Sequence, residues 1–495
     1  MNHFFIPGRG PNGLRLCLLA GLFSGLTSLG FSAGLLAGPV VGHTTTTTSR
    51  IWVETDEAAT VRIEYWAEPH YDDNKLQSYD SPIQRGRAEA KTLAAAPHTG
   101  IVELSGLNPG WMIHYSVMVD GRSIRPLTPQ VFCLMTPEAK DQNSSNVPNF
   151  TVGFGSCIFT ARVPVQNIWT QVMRHRPAAF IFLGDNVYQP SKPAAFKTDR
   201  DTIRYAIANL NRVVRNVAGL QTVFATTPCY AVWDDHDFGP DNSDGTFRAK
   251  EELLDMFNLY WANPAAGTRE VPGIFHSFRI ADVEFFLLDD RYSRDPDDAP
   301  NRKTMLGAGQ LAWLQRGLKE STATFKVIAN GGSMVVDQPR EEAWSNFGTE
   351  RDDFLRWMFA EKIPGVFFLA GDWHVGTLNK LQRPQDGYPL YELLSSNAAA
   401  TLPRVVPPGG ASDAAQKSGA NRNRQAAGPV VRDYNFGALR FAGPKGRRTA
   451  TLQIIDEAGA VRLQQVLTQN ELQVAEKYQG RTDGNVSSPR APDGQ

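Results

Sequence analysis

Six short apolar runs, each closed by a cluster of polar or ionisable residues, constrain the fold of this chain more than any other feature. They lie at Phe150–Phe154, Ala178–Leu183, Cys229–Val232, Val283–Leu288, Phe325–Ala329 and Val366–Leu369. A strand that is apolar at every position, not at alternate ones, has to be covered on both faces. Helical patterns such as Asp201–Val217 and Arg351–Phe359 separate several of the runs, and strands alternating with helices make an α/β layer structure. The runs end in Gly155-Ser-Cys157, Gly184-Asp-Asn-Val-Tyr188, Trp233-Asp-Asp-His-Asp237, Asp289-Asp-Arg291, Asn330-Gly-Gly-Ser-Met334 and Gly371-Asp-Trp-His374. Ligands bind at the carboxyl ends of strands in such sheets, so thiol, carboxylate, phenol and imidazole groups are expected to meet there. Gathering that many charges away from water calls for a cation. Taken singly, each cluster has a structural explanation: a turn, a helix cap or an inert buried thiol. Their succession at the ends of separate strands does not.

The rest of the chain divides by composition. Residues 1–37 carry Arg9 and Arg15 ahead of an apolar stretch, Leu16 to Leu36, with no charge until Arg50. This is the layout of a secretory signal with small residues near Ala33, or of an uncleaved anchor, since roughly 20 apolar residues span a bilayer. The expected location is therefore outside the cytoplasm, periplasmic or extracellular, with membrane attachment only through this segment. Residues 38–137 show period-two alternation at Ser49–Thr55, Thr60–Trp66, Gly100–Leu104 and Ile113–Val119, the pattern of a small β-sandwich. Residues 138–148 read as a polar linker and 149–470 as the α/β domain. Within it, 402–432 is rich in Pro, Gly, Ala, Arg and Gln and reads as a flexible loop; its Arg404, Arg422 and Arg424 make it a candidate gate. Residues 471–495 read as a largely disordered tail. Cys17 falls in the leader, which leaves Cys133, Cys157 and Cys229, an odd number; a Cys133–Cys229 disulfide is one candidate pairing.

Several familiar chemistries are excluded. Only four residues separate Cys157 from Arg162, one too few for a cysteine phosphatase. No G-x-S-x-G elbow occurs, and the Gly-rich segments lack a P-loop lysine. An EF-hand register over Asn242–Glu251 would put Pro240, which has no side-chain oxygen, at the first ligand position. The net charge of -1 among 495 residues gives no basis for specific nucleic-acid binding.

The series Phe154-Gly-Ser-Cys157, Phe182-Leu-Gly-Asp-Asn-Val-Tyr188, Val232-Trp-Asp-Asp-His-Asp237 and Leu369-Ala-Gly-Asp-Trp-His374 resembles the PhoD-like alkaline phosphatases of the calcineurin-like metallophosphatase superfamily. Leu288-Asp-Asp-Arg291, the Gly307…Gln310…Trp313-Leu segment and Leu393-Leu-Ser-Ser-Asn397 extend the likeness. Leu104 to Tyr115 resembles the E–F corner of a fibronectin type III domain, with Tyr115 as its corner tyrosine. The resemblance implies a metallophosphatase four-layer α/β (α+β) sandwich, two packed mixed sheets flanked by helices, preceded by the small all-β sandwich. It implies an exported phosphoesterase acting on monoesters or diesters through a metal-bound hydroxide at a site of two or more ions. Cys157, Asp185, Tyr188 and His374 would hold Fe3+. Asp185 would bridge to Ca2+, held also by Asp235 and Asp372, with Zn2+ or Mn2+ as alternatives that the same donors accept. His236 is the candidate general acid or charge stabiliser, beside a role orienting a ligand Asp. Arg291 is a candidate phosphate clamp, beside an ion pair with Asp289 or Asp290. After Asp237 the chain departs from the family's founding pattern, and Asn242 is the candidate replacement for a ligating asparagine. The substrate would be a small or polymeric phosphate ester, with phospholipids and teichoic acids among the diesters. A catalytically inactive surface-binding protein is the alternative from another class.

Overall fold

The computed structural model describes residues 33–69, 83–124, 132–135 (backbone only), 147–189, 199–299, 302–336, 342–381, 387–400 and 427–474. All fall in one compact unit, Ala33–Gln495. Residues 1–32 of the leader, most of the linker, residues 402–426 of the Pro/Gly-rich segment, and 475–495 lie outside the described residues. Among the described residues no helix is long and apolar enough to cross a membrane.

The N-terminal part is all-β. Its strands are β1 (Leu35–Thr44), β2 (Ser49–Thr55), β3 (Thr60–Pro69), β4 (Gln84–Lys91), β5 (His98–Leu104), β6 (Trp111–Val119), β7 (Arg122–Ser123) and β8 (Phe132–Met135). They form a three-stranded sheet β1-β2-β5 and a second sheet β4-β3-β6-β7, with β8 on β6. Alternate residues from both sheets, among them Ile51, Val53, Val61, Ile63, Val102, Leu104, Ile113 and Val117, close a separate core, as the period-two pattern requires.

The opposite face of β1 and β2 is also buried, against the rest of the chain. Trp52 joins the larger core and donates to the Leu259 carbonyl at 2.7 Å. Glu54, fully buried, accepts from Arg212 at 2.7 Å and from Tyr260 at 3.0 Å. Arg215 sits over the rings of Trp52, Tyr260 and Trp261 at 4.8–5.0 Å. The Tyr115 hydroxyl donates at 2.7 Å to Ala225, far along the chain.

The second part is built from β9 (Phe150–Gly155), α1 (Ile168–Arg174), β10 (Ala179–Leu183), α2 (Arg200–Arg215), α3 (Ala218–Thr226), β11 (Cys229–Val232), the single turn α4 (Asp235–Phe238), α5 (Lys250–Tyr260), β12 (His276–Ile280), β13 (Val283–Leu287), α6 (Gly307–Glu320), β14 (Phe325–Ala329), α7 (Gly348–Ala360), β15 (Val366–Ala370), β16 (Gly376–Leu381), β17 (Leu390–Ser395), β18 (Asn435–Ala442), β19 (Thr449–Asp456) and β20 (Val461–Thr468). Two six-stranded mixed sheets result, β11-β10-β9-β18-β19-β20 and β12-β13-β14-β15-β17-β16. The six apolar runs are the parallel strands β9, β10, β11, β13, β14 and β15, which with β17 form the parallel part of the two sheets.

Side-chain contacts give the layer order. Phe180 and Phe182 of β10 turn to Trp169 of α1, and Phe182 also to Phe224 of α3. Phe286 of β13 meets Trp313 of α6. Between the sheets, Phe441 of β18 packs on Phe285 and Phe325, and Tyr230 of β11 stacks on Phe278 of β12 at 3.6 Å. Helices therefore cover the outer faces of two sheets that share one core, the expected four-layer sandwich.

Three segments read as irregular carry defined structure. β1 begins at Leu35, inside the stretch read as leader. At the end of the Pro/Gly-rich segment, Val431 pairs with Gly376. Leu472, at the start of the tail, is fully buried. Cys229 is a buried free thiol, so the Cys133–Cys229 disulfide does not form.

Candidate metal centre

Loops at the carboxyl ends of the parallel strands meet at one place and hold one another by backbone hydrogen bonds. Ile158 donates to Asp185 at 2.9 Å, Ala399 to Cys157 at 3.1 Å and Gly371 to Gly331 at 2.8 Å. Asp237 fastens the β10 loop to the β11 loop, accepting from the amides of Asn186 and Val187, each at 3.1 Å. The Gly-Asp pairs have a steric basis. Gly184 has φ +83°, and a Cβ there would lie 2.4 Å from that of Asp234; one at Gly371 would lie 2.4 Å from Ser156 Oγ. Cys157, Asp185, Asp372 and His374 all adopt positive φ, 52–72°. Non-glycine residues in that region cost on the order of 1 kcal/mol or more each and cluster where function over-determines the backbone.

Three sets of side chains bring ligand-type atoms within 4.8 Å of one another: Cys157, Asp185 and His374; Asp185, Asp235 and His236; and Asp234, Asp235 and Glu342. The first two share Asp185 and the last two share Asp235, so they form a continuous chain of donors. Cys157 Sγ lies 3.4 Å from Asp185 Oδ2 and 3.0 Å from Ser396 Oγ. Tyr188 Oη lies 3.3 Å from His374 Nε2, and its ring stacks on Phe159 at 4.2 Å and lies tilted against His236 at 4.4 Å.

The electrostatics are those of a site short of positive charge. Burial, then the charges of Cys157 and Asp235, push the Asp185 pKa well up. Burial does the same to Asp234 although Arg291 opposes it, and to Asp372, with Glu342 and Asp234 adding to the effect. Burial also acts to raise Asp235, but Arg291, His236 and two backbone amides outweigh it and hold it below the usual carboxylate range. Burial pushes the Cys157 thiol up; the neighbouring His374 and hydrogen bonds from His374, Ser156 and Ser396 bring it down to about 6. Asp185 Oδ1, Asp234 Oδ2 and His236 Nδ1 are buried with no hydrogen-bond partner among the described residues. Buried polar atoms are nearly always satisfied, and unpartnered electron-pair donors on residues of such a cluster fit cations.

Of the residues predicted from sequence, Cys157, Asp185, Tyr188, Asp235, His236 and His374 come together directly. Asp372 lies close enough for Asp234, Asp235, Glu342 and Cys157 to act on its ionisation. Two expectations are corrected. Arg291 is fully buried and committed to carboxylates: it donates to Asp234 at 2.7 Å through Nε and again through Nη2, and to Glu342 at 2.8 Å. It shapes the carboxylate cluster instead of presenting a fork to a phosphate. Of the two candidate ion-pair partners, Asp290 pairs with Arg291 Nε at 3.7 Å, while the Asp289 carboxylate accepts from the Arg291 amide at 3.0 Å and from Trp233 at 2.8 Å. Asn242 reaches the site through its backbone, its amide donating to Asp235 Oδ2 at 2.8 Å, while the residue is exposed.

Sequence reasoning missed Asp234, Asp237, Glu342 and Ser396. Asp234 and Asp237 stood in the quoted motif, and alternation around Asp235 is their only signal. Ser396 lay in a quoted segment. Glu342, alone in a polar stretch, had none.

A family model described as PhoD-like phosphatase matches residues 153–452, and a domain of unknown function, DUF7800, matches 32–136. Alkaline phosphatase D of Bacillus subtilis (strain 168) is 24% identical over 357 residues, covering 62% of this chain and 58% of that protein; the chain thus spans less than two thirds of that relative's length. A solved structure of PhoD superposes with TM-score 0.64 at 16% identity, over 87% of this chain and 91% of its own. The purple acid phosphatase PPD1 from yellow lupin (Lupinus luteus) seeds gives 0.58 at 11% identity, over 88% and 75%. The fold is that of the metallophosphatases.

Proposed function

Because the chain belongs to the PhoD-like phosphatase family, we propose that it is an exported, metal-dependent phosphoesterase that hydrolyses phosphate monoesters, diesters or both. The observation that carries this reading is the chain of donor sets sharing Asp185 and Asp235, with electron-pair donors left unpartnered inside it. Cys157, Asp185, Tyr188 and His374 would hold one ion; thiolate and phenolate suit a transition metal, Fe3+ in this reading with Zn2+ or Mn2+ as substitutes. Asp185, Asp235 and Asp372 offer oxygen donors for a hard ion such as Ca2+. Bound there, two cations supply Lewis acidity toward a phosphoryl oxygen and lower the pKa of a water.

The chain's own residues do the rest. Asp185 serves both donor sets and fixes their separation. Arg291 keeps Asp234 and Glu342 in place by charge-assisted hydrogen bonds. His236 stands at the rim, its side chain 17% exposed, with Nε2 3.6 Å from Asp241. A proton carried at Nε2 could pass to a leaving oxygen. The leader 1–37 supports export, with 38–137 and 149–470 as the all-β and phosphatase parts.

The test is hydrolysis of an aryl phosphomonoester and an aryl phosphodiester by protein purified without chelator. Turnover of either that is lost on chelation and restored by Fe with Ca supports the reading. No turnover of either ester with any of Fe, Ca, Mn or Zn rejects it.

A further inference from the structure

The all-β part is fixed to the phosphatase part by one sheet and presents the other to solvent. On β3, Val61, Ile63, Tyr65 and Ala67 are buried, so Arg62, Glu64 and Trp66 point outward. Register across the sheet sets Arg85, Trp66 and His114 in one row and Arg87, Glu64 and Ser116 in the next. His114 stacks on the Trp66 indole at 5.0 Å and 10°, held from behind by Glu68 at 3.0 Å. The Arg85 side of the indole borders a groove of about 490 Å3, lined by Trp66, Arg85, Arg87, Glu64, Ser116 and Tyr65; His114 is not part of its wall. Gly86 sits between the two arginines on the inner side of the strand, where a Cβ would lie 2.4 Å from Tyr65 Oη.

The charges on this face are uneven in a telling way. Arg62 pairs with Glu89 at 2.5 Å and with Glu64 at 3.6 Å. Arg85 and Arg87 are exposed, and no hydrogen bond or ion pair engages either side chain among the described residues. Two like charges two residues apart on a strand stand roughly 7 Å from each other, and nothing in the fold needs them there. A flat aromatic wall beside two unpaired guanidiniums fits a ring with an acidic substituent. The ring's C–H face packs on indole, and the planar forks match carboxylates bidentately. Glu64 adds an acceptor for hydroxyls. A continuous phosphate backbone fits less well, because Glu64, Glu68 and Glu89 would face it.

We propose that this sheet face is a binding site for an acidic polysaccharide, with sugar rings on Trp66 and their carboxylates on Arg85 and Arg87. It gives the DUF7800 part a ligand-binding role, independent of whether the phosphatase part turns over. The test is affinity electrophoresis of the full-length, metal-loaded protein through gels containing polygalacturonate, neutral amylose or a DNA duplex at matched charge. Wild type should be retarded by polygalacturonate and not by amylose. The double variant Arg85→Ser/Arg87→Ser should bind at least tenfold more weakly, and Trp66→Ala likewise, with Trp66→Phe recovering part of the affinity. Melting temperature and aryl phosphate hydrolysis should match wild type in the arginine double variant, which decides the matter even if Trp66→Ala fails to fold. Unretarded wild type, retardation unchanged by the arginine substitutions, or retardation by DNA as strong as by polygalacturonate would each overturn the proposal.

Discussion

Replacing Arg291 by methionine keeps most of the side-chain volume and removes the guanidinium that donates to two carboxylates of the third donor set. In the native structure it donates to Asp234 and Glu342 and lies 3.7 Å from Asp290, and Arg291, Asp234 and Asp290 are all essentially inaccessible. Removing one partner of a buried pair leaves an uncompensated charge and costs about 3–5 kcal/mol. The loss should depend on pH in a defined sense. Burial already raises the folded-state pKa values of Asp234 and Glu342, against the pull of Arg291, so without the guanidinium both rise further. The folded variant then retains protons that the unfolded chain releases near pH 4. That proton binding favours the folded state at low pH and is lost as pH rises through the raised values. The deficit relative to wild type should thus be small near pH 5 and reach its full size at pH 8. Urea unfolding followed by circular dichroism, on chelator-treated protein so that no cation substitutes for the guanidinium, measures it. A deficit below about 1 kcal/mol at pH 8, or one that shrinks as pH rises, would refute the electrostatic account of this cluster.

Other outcomes follow from the same contacts. Glu54→Leu strips the buried acceptor from Arg212 and Tyr260 and should destabilise by about 3 kcal/mol, with Glu54→Gln milder, both measured by urea unfolding. Burial lowers the His276 pKa to about 4, so its neutral ring costs nothing above pH 6.5. As pH falls from there the unfolded chain gains a proton that the native state refuses, which removes roughly 3 kcal/mol by pH 4. His276→Phe should flatten this acid limb in a series of melts between pH 7 and 4.5. Cys157→Ala should lower iron content while leaving the protein soluble, as read by elemental analysis and gel filtration.

What the sequence made legible tracks burial. The parallel strands were visible because both of their faces are covered, which makes every position apolar, and β2 because its inner face alternates with polar neighbours. β4 was not: Gln84–Lys91 places Gln84, Gly86, Ala88 and Ala90, all half-buried, on its inner side, too little apolar surface to signal a strand. β1 was hidden because its apolar residues run on from the leader. The ligand-type residues were legible since each ends a visible strand. Of the carboxylates around Arg291, Asp290 was legible from its place beside it in the sequence, but Asp234 and Glu342, to which it donates, were not, because an arginine's residue type says nothing about which distant carboxylates it meets in space. Glu342 arrives from a loop far along the chain, and no local pattern marks it. Asn242 was expected to act by its side chain, but it meets Asp235 through its backbone amide, which no residue type signals.

The central claim is that Asp185 joins two cation sites, and metal analysis of wild type beside Asp185→Asn tests it most directly. The account predicts about one iron per chain with calcium in wild type, and loss of both from the variant together. Wild type devoid of metal after purification without chelator, or a variant that keeps its full metal content, would contradict it.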